Sequence, residues 1–284
     1  MMKTIRLMRD VVWRAFLATL IIFGLIWYQS AWAAPVPLDS DYINHFQSRA
    51  TKELQEFTRM AGWTSQVRGL SPSNPLGVWG LDVGVELTTI PEKAFRFENY
   101  KMELPPAFPR LNIAKGITRN LDGEVSFMAP GLLKGQVDIP DEIESLWVVG
   151  GSAKYTFLRE ENYFISLAGR ASLTRLGLSF FKADVFGADA SLSRSISFPL
   201  LPITLTPYVG GGYVSSTGEF DQGFIPFVPG NKIIGQNIRY FGGASLRLFI
   251  VDITGQADFS DVPSDTTYSV KVGLDIDSLI NGKP

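Results

Sequence analysis

The sequence predicts an all-β fold: a closed antiparallel up-and-down transmembrane β-barrel of about 10 strands (8–12), preceded by one amphipathic N-terminal helix. Three observations predict it. Apolar and polar residues alternate with period two through most of the chain, charged residues partition almost wholly onto one face, and long connections alternate with short ones.

Composition narrows the chemistry. The 284 residues are 45% hydrophobic and 19% charged, so the chain is built to fold. A formal net charge of −2 argues against a nucleic-acid partner. There is no cysteine and one histidine, which excludes disulfides, thiolate nucleophiles and two-histidine metal sites.

The N-terminus reads as an address. Lys3, Arg6, Arg9 and Arg14 face a single acid, Asp10, and precede the uncharged apolar run 15–28. Ala31-Trp32-Ala33 then supplies a small-residue cleavage pattern, so residues 1–33 are expected to be a cleaved secretory signal peptide. Residues 34–77 are expected to be a periplasmic segment containing a helix over 39–61. Asp39 or Ser40 can cap it, and Tyr42, Ile43, Phe46, Ala50, Leu54, Phe57, Met60 and Ala61 recur at helical spacing on one face. The stretch 69–77 (GLSPSNPLG) reads as a breaker.

From residue 78 the period changes to two. Strands are expected at 78–89, 109–118, 122–129, 145–158, 162–174, 183–197, 203–214, 237–248, 251–260 and 267–276, giving a barrel over 78–276 and a tail over 277–284. The polar faces hold Asp82, Glu86, Arg110, Glu124, Lys154, Arg170, Asp189, Arg239, Arg247, Asp252, Asp258, Lys271 and Asp275. The oily faces hold only Lys115 and Arg194. A soluble sandwich also alternates, with its oily faces inside. The partition instead suits oily faces turned to lipid, where a mid-membrane charge costs about 2–4 kcal/mol. Trp79, Phe157 and Tyr163 near one set of strand ends, and Trp147, Tyr213, Tyr240, Phe259 and Tyr268 near the other, form an expected aromatic girdle. Connections 90–108, 130–144, 175–182, 215–236 and 261–266 alternate with the shorter 119–121, 159–161, 198–202 and 249–250, the pattern of long external loops and short periplasmic turns. The join Phe249-Ile250 lacks the Asn or Gly that a two-residue turn prefers.

With its leader, its alternating strands and the Pro-rich turn into a glycine-rich strand (PLLPITLTPYVGGGYV, 199–214), the chain resembles the small bacterial outer-membrane β-barrel proteins. The resemblance implies a Gram-negative outer membrane, contact with outer-membrane lipid and lipopolysaccharide, and insertion by the barrel-assembly machinery. Such barrels usually end on an aromatic residue, whereas this chain continues to Lys283-Pro284.

No catalytic, cofactor or metal site is expected. His45 lies on the N-terminal helix, the acidic stretch 138–145 (DIPDEIES) reads as a solvated loop, and the glycine runs 150–151 and 210–212 lie inside strands. The expected site is a barrel-interior charged network of Asp82, Glu86, Arg170, Asp189, Arg239, Arg247, Asp252, Asp258 and Lys271. Near balance of its signs suits mutual pairing in a closed or narrow lumen rather than a selective pore. The expected function is therefore a non-enzymatic structural or interaction barrel, with an envelope protein partner bound by helix 39–61 or by loop 215–236 and its residues Phe220, Phe224, Ile225, Phe227 and Val228. A small-solute or apolar-ligand transporter with the helix as plug is the alternative, and a lipid-modifying enzyme the second.

Overall fold

In the computed structural model, the structure describes residues 40–89, 96–97, 100–101, 107–128, 146–178, 181–198, 202–220, 232–262 and 266–275, with helix side chains from Thr51 onward. The expected signal peptide over 1–33, the side chain of His45, the acidic stretch 138–145, the loop aromatics Phe224 and Phe227, and the expected tail 277–284 fall outside these residues.

Helix α1 runs Ser40–Ser65, four residues beyond the expected C-terminal limit. Ten strands form the barrel: β1 Leu81–Thr89, β2 Ala107–Gly116, β3 Leu121–Met128, β4 Trp147–Leu158, β5 Ser166–Gly177, β6 Phe181–Ser193, β7 Ile203–Phe220, β8 Lys232–Leu248, β9 Val251–Ser260 and β10 Thr266–Asp275. Each pairs antiparallel with its sequence neighbour, and β1 closes on β10 with Asp82 opposite Asp275 and Glu86 opposite Lys271. Closure leaves no open edge, as hydrocarbon requires of a sheet. A short ribbon, Arg96–Phe97 with Tyr100–Lys101, lies in the first connection.

The pleat sets the two faces. Val85 and Leu87 point outward while Asp82, Glu86 and Thr88 point inward. The outer surface carries Leu173 at 67% exposure, Val209 at 59% and Val272 at 52%, an arrangement stable only if the surrounding medium is lipid. The two oily-face cations sit at the ends of the barrel where the short turns lie. Lys115 Nζ donates to the carbonyls of Val78 (2.8 Å) and Gly80 (3.2 Å), and the Arg194 guanidinium lies 3.3 Å from the Phe164 ring centroid.

The two rims differ. Connections 117–120, 159–165, 194–202 and 249–250 form a short-turn rim, and 90–106, 129–146 and 221–231 dominate the opposite, long-connection rim. There β5 and β6 run on to Gly177 and Phe181, with Leu178 N donating to the Phe181 carbonyl at 2.7 Å, which closes most of the loop expected over 175–182. The turn at 249–250 forms with Phe249 at φ 57°, a left-handed conformation that costs a non-glycine residue roughly 1 kcal/mol.

At the long-connection rim the tips of β5 to β8 reverse their polarity, while β1, β9 and β10 keep Thr88, Asp258 and Thr267 inside. On β6 the inward residues Phe181, Ala183 and Val185 are apolar, while Lys182 and Asp184 point out. Below Phe186 the order is restored, with Ser191 and Ser193 inside. Strands β7 and β8 extend through much of the stretch expected to be a 215–236 loop. Phe220 and Ile233 are buried inside the barrel, so neither belongs to an exposed apolar patch. Their apolar inward faces exist because the second half of α1 packs there.

Candidate functional site: a lumen filled by residues 51–77

The polypeptide enters the barrel at the long-connection rim and descends to the short-turn rim. At the top, Leu54, Phe57 and Ala61 follow helical spacing and pack with Met128, Leu146, Val148 and Leu176. The Phe57 ring meets Phe181 edge-on at 4.8 Å and Phe220 at 5.8 Å. Glycines on the wall let the helix approach. A Cβ at Gly235 would lie 2.5 Å from Arg59 Cα, and one at Gly218 would lie 2.6 Å from Thr58 Oγ1. Ser216 Oγ donates to the Thr58 carbonyl at 2.9 Å, and Arg59 Nη1 donates to Asn237 Oδ1 at 2.8 Å.

A helix ending inside a membrane protein leaves its last carbonyls without partners, and its C-terminus carries partial negative charge. Two arginines meet both needs. Arg68 donates from Nη2 to the Trp63 carbonyl (2.7 Å) and from Nη1 to that of Thr64 (3.1 Å). Arg110 of β2 donates to the carbonyls of Thr64 and, at 2.6 Å, Gln66. Arg68 itself is fully buried and pairs through Nε with Asp258 at 3.3 Å. Asp258 is shared with Arg239 at 2.6 Å, and Arg239 reaches Asp189 at 3.5 Å. The level of Trp63, Arg68 and Leu70 is thus dry and charge-paired.

Below it the segment is extended, and the wall supplies what helix or sheet would have supplied. Arg170 donates to the carbonyls of Arg68 and Gly69, the latter at 2.7 Å. Lys271, paired with Asp82, donates to that of Leu70 at 3.4 Å. Lys154 donates to those of Pro72 and Asn74, each at 2.9 Å, and pairs with Asp122 at 3.2 Å. Thr156 Oγ1 donates to that of Ser73 at 2.8 Å. The segment's own N–H groups are also met: Val67 N by Thr174 Oγ1 (3.2 Å), Ser73 N by Ser193 Oγ (3.1 Å) and Leu76 N by Asp122 Oδ1 (3.1 Å). Gly69 holds φ +53°, and a Cβ there would lie 1.7 Å from Arg170 Nη1, so only glycine fits both backbone and clamp.

The filling is one-sided toward the short-turn rim. A cavity of about 590 Å³ lies between residues 70–77 and the remaining wall, bordered by Asp82, Lys154, Arg159, Glu160, Arg247 and Asp252. Arg247, its side chain 44% exposed, reaches into it while pairing with Asp275 at 2.6 Å.

The structure places every member of the expected charged network on the interior. Arg170, Asp189, Asp258 and Arg239 lie at mid-lumen, and Arg247, Asp252, Asp82 and Lys271 toward the short-turn mouth. Glu86 is held instead by Thr88 Oγ1 (2.7 Å) and Asn112 Nδ2 (2.8 Å). Sequence reasoning missed Arg68, which looked like a residue beside a breaker, and Asp122, at the edge of a weak strand. The wall's acid surplus once Asp122 is included was the available sign that a cation had to come from elsewhere. The eight girdle residues, Trp79, Trp147, Phe157, Tyr163, Tyr213, Tyr240, Phe259 and Tyr268, all point outward and are between 39% and 65% exposed. Among the described residues, no cluster of three or more His, Cys, Asp or Glu is placed to hold a metal ion.

No family model matches the chain, and no curated protein does. Solved structures to which it is similar include three bacterial proteins. Ail, the attachment invasion locus protein of Yersinia pestis, is 10% identical, with 69% of this chain and 95% of that one covered at a TM-score of 0.28. LpxR from Salmonella typhimurium is 9% identical over 68% and 99%, at 0.34. The outer membrane protein Omp33 of Acinetobacter baumannii is 6% identical over 70% and 99%, at 0.29. The chain itself is a closed ten-stranded antiparallel barrel with residues 51–77 inside the ring.

Proposed function

We propose that this protein is a sealed outer-membrane barrel of structural or interaction type, a rigid platform for its long connections and not a conduit. The reading rests on one observation. The carbonyls of Trp63, Thr64, Gln66, Arg68, Gly69, Leu70, Pro72, Ser73 and Asn74 each receive a side-chain donor, most of them from the wall. A segment held at so many points, across a dry layer of paired charge, blocks the lumen and stays in place. No catalytic step is part of this reading. Export by a cleaved leader over residues 1–33 and insertion by the barrel-assembly machinery belong to it.

Single-channel recording of the purified full chain in planar bilayers tests it. The expected record is free of discrete conductance steps, and stable openings would overturn the proposal. The cavity of about 590 Å³ favours a second reading, a small-solute transporter whose plug shifts, because the short-turn half is already hollow to the level of Leu70. Solute flux that appears without loss of the folded barrel would favour that reading.

A further inference from the structure

We infer that the second half of α1 occupies the mouth of the barrel facing the cell exterior, so that Lys52, Gln55 and Glu56 are presented outside the cell and not to the periplasm. This differs from the periplasmic placement that the sequence suggests for residues 34–77, and it holds whether or not the lumen conducts.

The depth of the segment is fixed by its partners. Phe57 meets Phe181 and Phe220, the residues of β6 and β7 next to the long-connection rim. Arg68 meets Asp258 at mid-barrel, Ser73 meets Ser191, and Asn74 Nδ2 donates to Ser195 Oγ at 2.7 Å beside the short-turn rim. The contacts descend without reversal, so the chain enters from the long-connection side. In outer-membrane barrels the long connections are external and the short turns periplasmic.

The polarity of the wall gives an independent argument. At the tips of β5 to β8 on this rim, inward residues become apolar and outward ones charged. Arg175 and Asp184 pair on the outer face at 2.6 Å, with both side chains nearly two-thirds exposed, next to the outward Lys182. A charge pair facing outward is costly in hydrocarbon, so the β5–β8 side of this rim rises from the bilayer as a collar against the helix. Lys52, Gln55 and Glu56 are exposed at that collar.

The chain has no cysteine, so single substitutions report their own side of the membrane. Gln55→Cys on the helix, Lys182→Cys on the collar and Arg119→Cys in a short turn are each treated with a membrane-impermeant maleimide in intact cells, then after permeabilisation. A heat-modifiable band checks that each variant is folded. The expected result is labelling of Gln55→Cys and Lys182→Cys that permeabilisation does not increase, with Arg119→Cys labelled only afterwards. Protection of Gln55→Cys in intact cells while Lys182→Cys reacts would overturn the inference. So would labelling of Arg119→Cys alone, since the barrel would then be inverted.

Discussion

The two halves of the lumen are closed by different physics. In the long-connection half, α1 brings its own hydrogen bonds and needs only an apolar lining, which Phe181, Phe220, Leu176 and Val148 supply. In the short-turn half the segment is extended and rich in Ser, Pro and Asn. It brings few internal hydrogen bonds, among them Ser71 N to the Gly69 carbonyl at 2.7 Å, so Arg170, Lys154, Lys271 and Thr156 must satisfy most of its carbonyls. The first device packs side chains against one another without direction. The second is directional, and it leaves a cavity of about 590 Å³ beside the segment. A barrel wall can therefore hold an internal segment by packing or by clamping, and the segment's secondary structure decides which. Arg68 and Arg110 mark the changeover, because a helix terminus is where backbone partners run out.

This contrast sets the order of expected effects. Asp258→Ala acts at the junction and leaves Arg68 and Arg239 without their shared carboxylate. It is expected to cost about 3–5 kcal/mol, the range for breaking a buried pair, read as a lower urea midpoint in lipid vesicles. Phe57→Ala removes the aromatic centre of the helical half and is expected to cost about 3 kcal/mol, with the loss insensitive to ionic strength. Lys154→Ala removes one clamp of the extended half, where the adjoining cavity lets water re-solvate Asp122. Its expected cost is about 2 kcal/mol, and partial recovery in Lys154→Arg would sharpen the difference from the helical half. Equal losses for Phe57→Ala and Lys154→Ala would erase the distinction.

Much of this was legible in the sequence. All ten strands and their outward faces follow from period-two alternation, since Val83, Val85 and Leu87 can share only one side of a strand. Strand limits failed where polarity reverses. Ser215, Thr217 and Glu219 look like loop residues because they point outward above the lipid, yet they continue β7 through Phe220. The start of β6 at Phe181 was hidden in the same way. The lumen segment gave no periodic signal, because a single irregular chain clamped through its backbone carbonyls has no repeating side-chain face. Its Pro-Ser-Asn composition is that of a loop. Only the wall's acid surplus hinted that a cation from another segment, Arg68, enters the lumen.

The central claim is that residues 66–77 run inside the barrel against β6. Ser73 Oγ and Ser191 Oγ lie 2.9 Å apart, in a chain free of cysteine. The Ser73→Cys, Ser191→Cys double variant, oxidised as the folded barrel in detergent, is expected to form an intrachain disulfide that changes its migration on a non-reducing gel. A folded, heat-modifiable double variant whose two thiols both remain free to alkylation under the same oxidation would contradict a filled lumen.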